Sequence, residues 1–305
     1  MTGVPEAAAP GTWRAPAKVN LWLAVTGRRA DGYHTVDAGY QAIDLADSVV
    51  LEPGERDGVA CRVEGEWAPG VPEGEDNLAA RAARALAEAA GQHLRLAINI
   101  AKRVPPAAGL GGGSSDAAAV LAALARRFGV SPDALPPIAA RLGADVPFFL
   151  QGGTRRARGI GELLELVETP AERWGILLHP GVGVSTAWAY RAWDESGATP
   201  AGEIADDWRE RGNAFEGLVF ARHPEVRRAA EILAGGPASL VRMSGSGSAV
   251  FALYGSEAAR DGDLVRVEEA ARVLPGARTW RFAFEPRGVA PAERDILKDS
   301  RAAGG

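Results

Sequence analysis

A loop rich in glycine and serine stands between a predicted strand and a predicted helix. Residues 94–100, LRLAINI, alternate apolar and polar side chains, which is typical of a half-buried strand. The loop GLGGGSS follows at residues 109–115, directly before the Ala/Leu-rich segment DAAAVLAAL. The first N–H groups of a helix are unpaired and lie at the positive end of its dipole, so anions bind there. Because glycine has no Cβ, the pattern predicts a site at which phosphate contacts the backbone.

The loop departs from two familiar phosphate-binding motifs. A Walker A loop ends in Gly-Lys-Ser/Thr, whereas Gly113 is followed here by Ser114 and Ser115. A dinucleotide fingerprint needs a third glycine, and after Gly109 and Gly111 that position holds Ser114. An ordinary helix cap needs one polar residue and no run of glycines. The residues indicate a phosphate site of another class, and a tight turn with a capped helix is the alternative.

Lys18 and Asp145 are charged residues in apolar surroundings, in the segments PAKVNL and GADVPFF. Burying an unpaired carboxylate is costly. A cation beside Asp145 would keep it ionised and would stabilise negative charge on a bound phosphate. The alternatives are a helix-capping aspartate and a surface lysine that buries only its stem.

The elements that must position these residues are mixed strands and helices. A helix is predicted after Asn77, and strands are predicted at residues 175–181 and 279–286. Strands and helices do not alternate strictly, which favours an α+β fold over a doubly wound parallel sheet. Glycines and arginines cluster in GGTRRARGIG, residues 152–161, where we expect a domain boundary.

Three stretches together resemble the GHMP kinase superfamily. PPAAGLGGGSSDA is similar to its central motif, PAKVNLWLAVTGRRADGYHTV to the N-terminal motif of one member, and MSGSGSAVFALY to the C-terminal glycine motif. The resemblance covers residues 15–284. It implies an α+β fold of two domains, residues 13–160 and 161–290, with the active site in the cleft between them and flexible tails at 1–12 and 291–305. It also implies a kinase that transfers the γ-phosphoryl group of ATP to an alcohol group of a small molecule.

The segments ADGYH and GADVPFF narrow the resemblance to a member whose acceptor carries a cytidine diphosphate group. The resemblance implies that Asp145 lies beside the acceptor hydroxyl, as a base or as an orienting group, with Lys18 as its partner. Asn20 lies two residues beyond Lys18 and so faces the same side of a strand. The resemblance makes Asn20 a substrate contact, and a polar residue at a strand edge is the alternative.

The turn at Asp31 and Gly32 is followed by Tyr33 and His34, which the resemblance assigns to the cytidine. A cytosine ring needs a flat aromatic face and hydrogen-bond partners in its plane. Tyr33 can stack, and His34 can form hydrogen bonds through its ring or backbone. Tyr190 is the candidate for the opposite stacking ring, with ordinary core packing as the alternative.

The resemblance also implies an ATP site and a loop that closes on the phosphate or the substrate. Asn77 resembles the adenine contact and is equally a helix N-cap, while Lys102 lies near the adenosine or is a solvated charge at a strand end. The predicted ATP-binding residues are Asn77, Lys102, Pro105, Gly109, Leu110, Gly111, Gly112, Gly113, Ser114 and Ser115. The predicted closing loop is Ser244, Gly245, Ser246 and Gly247, and a flexible turn is its alternative. We expect Mg²⁺ with ATP, with no protein ligand that the sequence identifies beyond the possible hydroxyls of Ser114 or Ser115.

Composition excludes several classes of partner. The net charge of −5 gives no basic footprint, so we expect no nucleic acid and no membrane surface as partner, only small molecules. The single cysteine, Cys61, excludes an internal disulfide framework and a cysteine-based zinc site. The start of the chain lacks the pattern of a signal peptide, and we expect a cytoplasmic protein. The sequence predicts no oligomeric state.

Three other functions remain open from the sequence. The first is another kinase of the superfamily, with homoserine or a mevalonate-type acceptor. The second is a nucleotide-binding relative without catalysis, which the presence of both Lys18 and Asp145 disfavours. The third is an NAD-dependent enzyme, which the missing glycine and the order of elements disfavour. One departure from the family pattern has no predicted consequence: Ala214 stands where relatives often carry an acidic residue after asparagine.

Overall fold

The computed structural model describes residues 11–202 and 205–292. Most of the two predicted tails lies outside the described residues. Gly11 belongs to the first strand and Pro291 to the last one, so regular structure extends slightly further at both ends than the sequence predicted.

The described chain consists of mixed strands and helices. The strands are β1 (Gly11–Arg28), β2 (His34–Pro53), β3 (Gly58–Glu64), β4 (Arg95–Ala101), β5 (Thr154–Arg158), β6 (Leu163–Leu166), β7 (Trp174–His179), β8 (Leu240–Met243), β9 (Val250–Tyr254), β10 (Arg278–Ala283) and β11 (Ala290–Pro291). The α-helices are α1 (Leu78–Ala89), α2 (Gly112–Phe128), α3 (Leu135–Leu142), α4 (Val146–Gln151), α5 (Thr186–Glu195), α6 (Glu216–Arg222), α7 (Pro224–Ala234) and α8 (Glu257–Ala271).

The strands form two sheets. The first has the order β11-β1-β2-β4-β3, and the hairpin of β5 and β6 pairs with β2. The second has the order β10-β7-β9-β8. Pairing is antiparallel except between β3 and β4. This confirms the predicted α+β class, because a doubly wound fold would need parallel strands joined by helices.

A long antiparallel hairpin, β1 with β2, forms the centre of the first sheet. The strand β1 continues through Pro16, a residue type that often interrupts strands, with a shift of register between Pro16 and Ala17. Gly39 on the partner strand β2 cannot be a larger residue, because a Cβ there would lie 2.1 Å from the ring of Trp22. The hairpin places Lys18 opposite Ala42, in the buried middle of the sheet.

Helices α1 and α2 pack against each other and α2 packs on the hairpin. Small residues on α2, among them Ala117, Ala118 and Ala119, are fully buried, which brings the helix close to the sheet. The N-terminus of α2 thereby lies beside the middle of β1, where the backbone N–H of Lys18 donates to the carbonyl of Leu110 at 3.0 Å. Among the residues that the structure describes, no helix is long and apolar enough to cross a bilayer.

The proposed boundary between domains at residues 160 and 161 stays a prediction. Since β6 pairs with β5, the first sheet continues to Leu166, and the second sheet begins at Trp174. A division between those two residues keeps the second sheet whole and separates only β11 from the rest of the first sheet. The strand β11 returns to the first sheet, where Pro291 pairs with Trp13.

Candidate active site

A cavity of about 1000 Å³ lies between the glycine loop, the β1–β2 hairpin and α5. Side chains from segments far apart in sequence line it, including Lys18, Tyr40, Asp145 and Tyr190. Concave sites with a few convergent polar groups are where small ligands bind. The cavity brings together most of the residues that the sequence selected.

The glycine loop needs glycine at two positions, where the backbone has a positive φ and other groups lie close to it. Gly109 has φ 75°, and a Cβ there would lie 2.0 Å from the carbonyl oxygen of Ser244. Gly111 has φ 72°, and its Cβ would lie 2.7 Å from the ring of Phe149. At Gly113 a Cβ would meet open space, in the first turn of α2 on the wall of the cavity. The first two glycines permit close packing, whereas the third leaves backbone accessible at a helix N-terminus.

The second glycine-serine loop, residues 244–247, packs directly on the first. Ser244 Oγ donates to the carbonyl of Gly109 at 2.8 Å and accepts from the backbone N–H of Asn20 at 3.2 Å. Asn213 Nδ2 donates to the carbonyls of Met243 and Gly245, both at 2.8 Å. The bond from Ser244 holds the two glycine-rich segments together and the bonds from Asn213 fix the second loop, so that loop is not a free flexible turn.

Lys18 and Asp145 approach each other at the cavity wall. Lys18 Nζ lies 3.8 Å from Asp145 Oδ2, and it donates a short hydrogen bond to Asn20 Oδ1. Burial lowers the pKa of Lys18, and the carboxylate of Asp145 opposes that shift. Asp145 begins α4 but makes no capping hydrogen bond through its side chain, which is 28% exposed. The capping alternative for Asp145 is therefore not what the structure shows.

Tyr40 and Asn20 complete the surroundings of this pair. Lys18 Nζ lies 5.0 Å from the centroid of the Tyr40 ring. Burial and the nearby charge of Asp145 raise the pKa of Tyr40 well above its usual value, so its hydroxyl stays protonated. Asn20 is 1% exposed, and its Nδ2 has no hydrogen-bond partner within the described residues. A buried amide donor at a cavity wall is available to a ligand oxygen.

Lys102 lies in a different environment, between two buried carboxylates. Its Nζ donates to Asp116 Oδ2 at 2.8 Å and, through a shorter bond, to Asp47 Oδ2. Burial opposes the charge of Lys102, but the two carboxylates outweigh it and raise the pKa of the lysine. Burial also raises the pKa of Asp116 to about 7; Lys102 opposes this and Asp47 adds to it. Lys102 is thus no solvated charge at a strand end, although it reaches the cavity wall.

The far end of the cavity is aromatic. The rings of His34 and Tyr190 stack with centroids 4.8 Å apart and planes 19° apart. Tyr190 also meets Phe215 edge-on at 4.9 Å. Tyr33 lies at the rim and is 62% exposed. The turn before it is fixed by Asp31, whose side chain accepts from the backbone N–H of Tyr33 at 3.2 Å.

The structure places most of the selected residues at the cavity and leaves four away from its wall. The lining residues are Lys18, Asn20, Tyr33, His34, Lys102, Pro105, Gly109, Leu110, Gly111, Gly112, Gly113, Ser114, Asp145, Tyr190, Gly245 and Ser246. Those that do not line it are Asn77, Ser115, Ser244 and Gly247. Asn77 caps α1 by accepting from the N–H of Ala79 at 2.9 Å, while Ser115 is fully buried and its hydroxyl has no partner among the residues that the structure describes.

Several residues of the site were not selected from the sequence. They are Tyr40, Asp47, Asp116, Asp194 and Asn213. Asp47 Oδ1 accepts from the N–H groups of Arg103 and Val104, at 2.6 and 2.9 Å, and so fixes the start of the glycine loop. Their contacts join segments far apart along the chain, and single-residue patterns give no sign of such pairing. Asp116, which directly follows GGGSS, was the one with a local signal.

The described residues contain no group of three or more His, Cys, Asp or Glu side chains that could hold a metal ion. The cavity does offer isolated oxygen donors, the hydroxyl of Ser114 and the carboxylate of Asp145. These two oxygen groups suit a metal ion that arrives bound to the phosphates of a ligand better than a metal ion that the protein holds permanently.

Family models and relatives match this architecture. The model for the N-terminal domain of GHMP kinases matches residues 77–153, and the model for their C-terminal domain matches residues 198–273. The 4-diphosphocytidyl-2-C-methyl-D-erythritol kinase of Granulibacter bethesdensis is 44% identical over 81% of this chain and 86% of that protein. The enzyme of that name from Xanthomonas oryzae pv. oryzae is 39% identical over 95% of this chain and 97% of its own length.

Solved structures agree with the sequence matches. A 4-(cytidine 5'-diphospho)-2C-methyl-D-erythritol kinase superposes with a TM-score of 0.69 at 36% identity, covering 89% of this chain and 99% of that one. Homoserine kinase from Cytophaga hutchinsonii superposes with a TM-score of 0.73 at 20% identity, covering 96% and 100%, which shows a shared fold. The fold and the site are those of a GHMP kinase. Within that class, the chain belongs to the 4-diphosphocytidyl-2-C-methyl-D-erythritol kinase family.

Proposed function

We propose that this protein transfers the γ-phosphoryl group of ATP to the 2-hydroxyl of 4-diphosphocytidyl-2-C-methyl-D-erythritol, a step in the non-mevalonate route to isoprenoid precursors. Relatives of that name at 39–44% identity support the reaction. The observation that carries it at the site is the 3.8 Å approach of Lys18 Nζ to Asp145 Oδ2, beside a loop that presents backbone N–H groups. Phosphoryl transfer needs positioning, compensation of charge and a route for one proton.

Asp145 orients the acceptor hydroxyl and receives its proton. The hydroxyl oxygen forms a bond to the γ-phosphorus as the bond from that phosphorus to the bridging β–γ oxygen breaks, and ADP leaves. Lys18 keeps Asp145 ionised and compensates charge on the phosphoryl oxygens. Asn20 offers its unpartnered Nδ2 to a substrate oxygen.

The glycine loop binds the phosphates. Gly113 and Ser114 lie in the first turn of α2 and line the cavity, where N–H groups and the helix dipole favour an anion. Gly245 and Ser246 face the same space from the second loop. Asn77 and Lys102 support the site mainly through contacts within the protein. Asn77 caps α1 next to Leu78 of the cavity wall, and Lys102 stabilises the glycine loop through its bond to Asp116.

Mg²⁺ supplies charge neutralisation when it is bound with ATP. Phosphates and water would hold the ion, and the hydroxyl of Ser114, which lines the cavity, is a candidate protein ligand. The site needs no permanent metal centre for this role.

The cytidine occupies the aromatic end of the cavity. Tyr33 and Tyr190 provide flat faces, and His34 provides hydrogen bonds in the plane of the base. The net charge of −5 supports partners that are small molecules and not nucleic acids or anionic membranes. The predicted location in the cytoplasm stays a prediction.

The test is a transfer assay with ATP, Mg²⁺ and the diphosphocytidyl acceptor, in which phosphorus NMR identifies the phosphorylated oxygen. Homoserine and mevalonate serve as parallel acceptors. We expect one new phosphomonoester at the 2-position and turnover of the cytidine acceptor alone. Turnover of homoserine or mevalonate, or of none of the three, would refute the proposal.

A further inference from the structure

Helix α5 holds His34 in one orientation at the aromatic end of the cavity. The imidazole stacks on Tyr190 and meets the edge of Trp193, with centroids 5.7 Å apart. Its Nε2 lies 2.6 Å from Oδ1 of Asp194. Three residues from about one turn of the same helix thus fix a residue of the opposite strand β2.

The contact with Asp194 determines which ring nitrogen of His34 carries a proton. An ionised carboxylate accepts hydrogen bonds and has no proton to donate, so Nε2 is the donor. In the neutral imidazole Nδ1 then carries no proton and acts as an acceptor. Within the part of the chain that the structure describes, no protein group donates to this Nδ1.

Asp194 stands at an unfavourable place for a carboxylate. It lies in the last turn of α5, where the helix dipole favours cations. Its Oδ2 lies 3.6 Å from the guanidinium of Arg28, and its side chain is 33% exposed. The two carboxylate oxygens of Asp194 therefore contact His34 and Arg28 of the β1–β2 hairpin and do not stabilise α5, the helix that carries them.

We propose that Asp194 is a positioning residue for base selectivity, which holds Nδ1 of His34 as an acceptor for the 4-amino group of cytosine. This rests on the proposed function, since it needs a nucleobase at this end of the cavity. Cytosine carries an amino donor at that position, whereas uracil carries a carbonyl acceptor that would face the bare Nδ1. A base in the plane of the imidazole would also lie within 19° of the plane of Tyr190.

The experiment compares kcat/KM for the cytidine acceptor and for its uridine analogue in the parent and in Asp194→Asn. An amide can donate to Nε2, so the proton of His34 is free to move to Nδ1. We expect Asp194→Asn to lower the preference for cytidine over uridine by about tenfold to a hundredfold, through KM for the cytidine acceptor. KM for ATP should stay within about twofold of the parent value.

Two variants and one spectrum separate this role from a structural one. Glu195→Gln removes the neighbouring charge on the same helix end and should leave the preference unchanged; Asp194→Glu keeps the carboxylate and should restore most of it. Nitrogen-15 NMR should show His34 bare at Nδ1 in the parent, with a signal that shifts on adding cytidine diphosphate and not uridine diphosphate. That spectrum decides the matter even if Asp194→Asn does not fold.

Equal losses for both acceptors, an unchanged preference, or a protonated Nδ1 in the parent would overturn the role of Asp194 while leaving the kinase reaction intact. A parent that phosphorylates neither acceptor would overturn the proposed function, and this inference with it.

Discussion

Two buried lysines, Lys18 and Lys102, lie on either side of the glycine loop, and their pKa values are shifted in opposite directions. Lys18 has one carboxylate, at 3.8 Å, and burial lowers its pKa. Lys102 has two, one of them at 2.8 Å, and their combined charge raises its pKa. A buried cation that the protein only partly compensates is available to the charge of a ligand. A cation that the protein fully compensates serves to join chain segments.

The strongest test of this comparison is to replace Lys18 or Asp145, the pair in which the lysine charge is only partly compensated. Lys18→Met and Asp145→Asn should each lower kcat by at least about 100-fold, because each removes an electrostatic or proton-transfer contribution to the transition state. Steady-state turnover with saturating ATP and cytidine acceptor measures this. Turnover like that of the parent in both variants would contradict the assignment.

Removing the other lysine should affect folding first. Lys102→Met leaves the carboxylates of Asp47 and Asp116 buried against each other, and we expect a loss of about 3–5 kcal/mol in the free energy of unfolding. Urea titration measures it, with Lys18→Met as the matched control that should change stability far less. The double variant Lys102→Met/Asp116→Asn should recover part of the loss. Equal destabilisation by the two lysine variants would remove the distinction between them.

The pH dependence of stability should report Asp116. Burial raises the pKa of this carboxyl from 3.8 to about 7. A raised pKa in the folded state means that its contribution to stability is present below about pH 4 and is lost as the pH rises toward 7. Asp116→Asn imitates the protonated acid, so its advantage over the parent should grow across that window. Thermal unfolding at several pH values measures the difference, and a constant difference would contradict the expectation.

The smallest effects should come from the two adjacent glycines at the start of α2. A Cβ at Gly112 would lie 3.0 Å from Cγ1 of Val104 and 3.1 Å from Lys102 Nζ, whereas one at Gly113 would meet open space in the cavity. We expect Gly112→Ala to lower stability by about 1 kcal/mol, because Val104 and the lysine must shift. Gly113→Ala should be neutral or slightly stabilising in the helix and should raise KM for ATP. The reverse pattern would place the phosphates on the other side of the loop.

The sequence predicted which residues line the cavity better than which residues hold them in place. The glycine loop, Lys18 and Asp145 have types and neighbours that are unusual for their predicted elements, and the structure brings them to one cavity. Asp47 looks like an ordinary residue at the start of a strand, and Asn213 like an ordinary loop residue. Their importance comes from bonds to backbone groups distant in sequence, which no local pattern encodes.

The same contrast holds for the fold, where local patterns predicted some elements and features that depend on strand pairing were missed. Alternation predicted β4 correctly, whereas the continuous hairpin of β1 and β2 was hidden by Pro16 and Gly39, residues that usually interrupt strands. The register shift after Pro16 and the contact of Gly39 with Trp22 accommodate them. Both are properties of the paired strands, so a single segment cannot reveal them.

The pairing of β11 with β1 makes the second sheet an insertion within the first. The chain leaves the first sheet after Leu166, completes the second one and returns to place Ala290 opposite Arg14. Two covalent connections therefore join the halves that flank the cavity, and the described ends of the chain emerge side by side, away from it. A circular permutant that joins those ends and opens the chain in an exposed loop should keep the whole cavity. A truncation after Leu166 would instead remove an edge strand from the half it was meant to preserve.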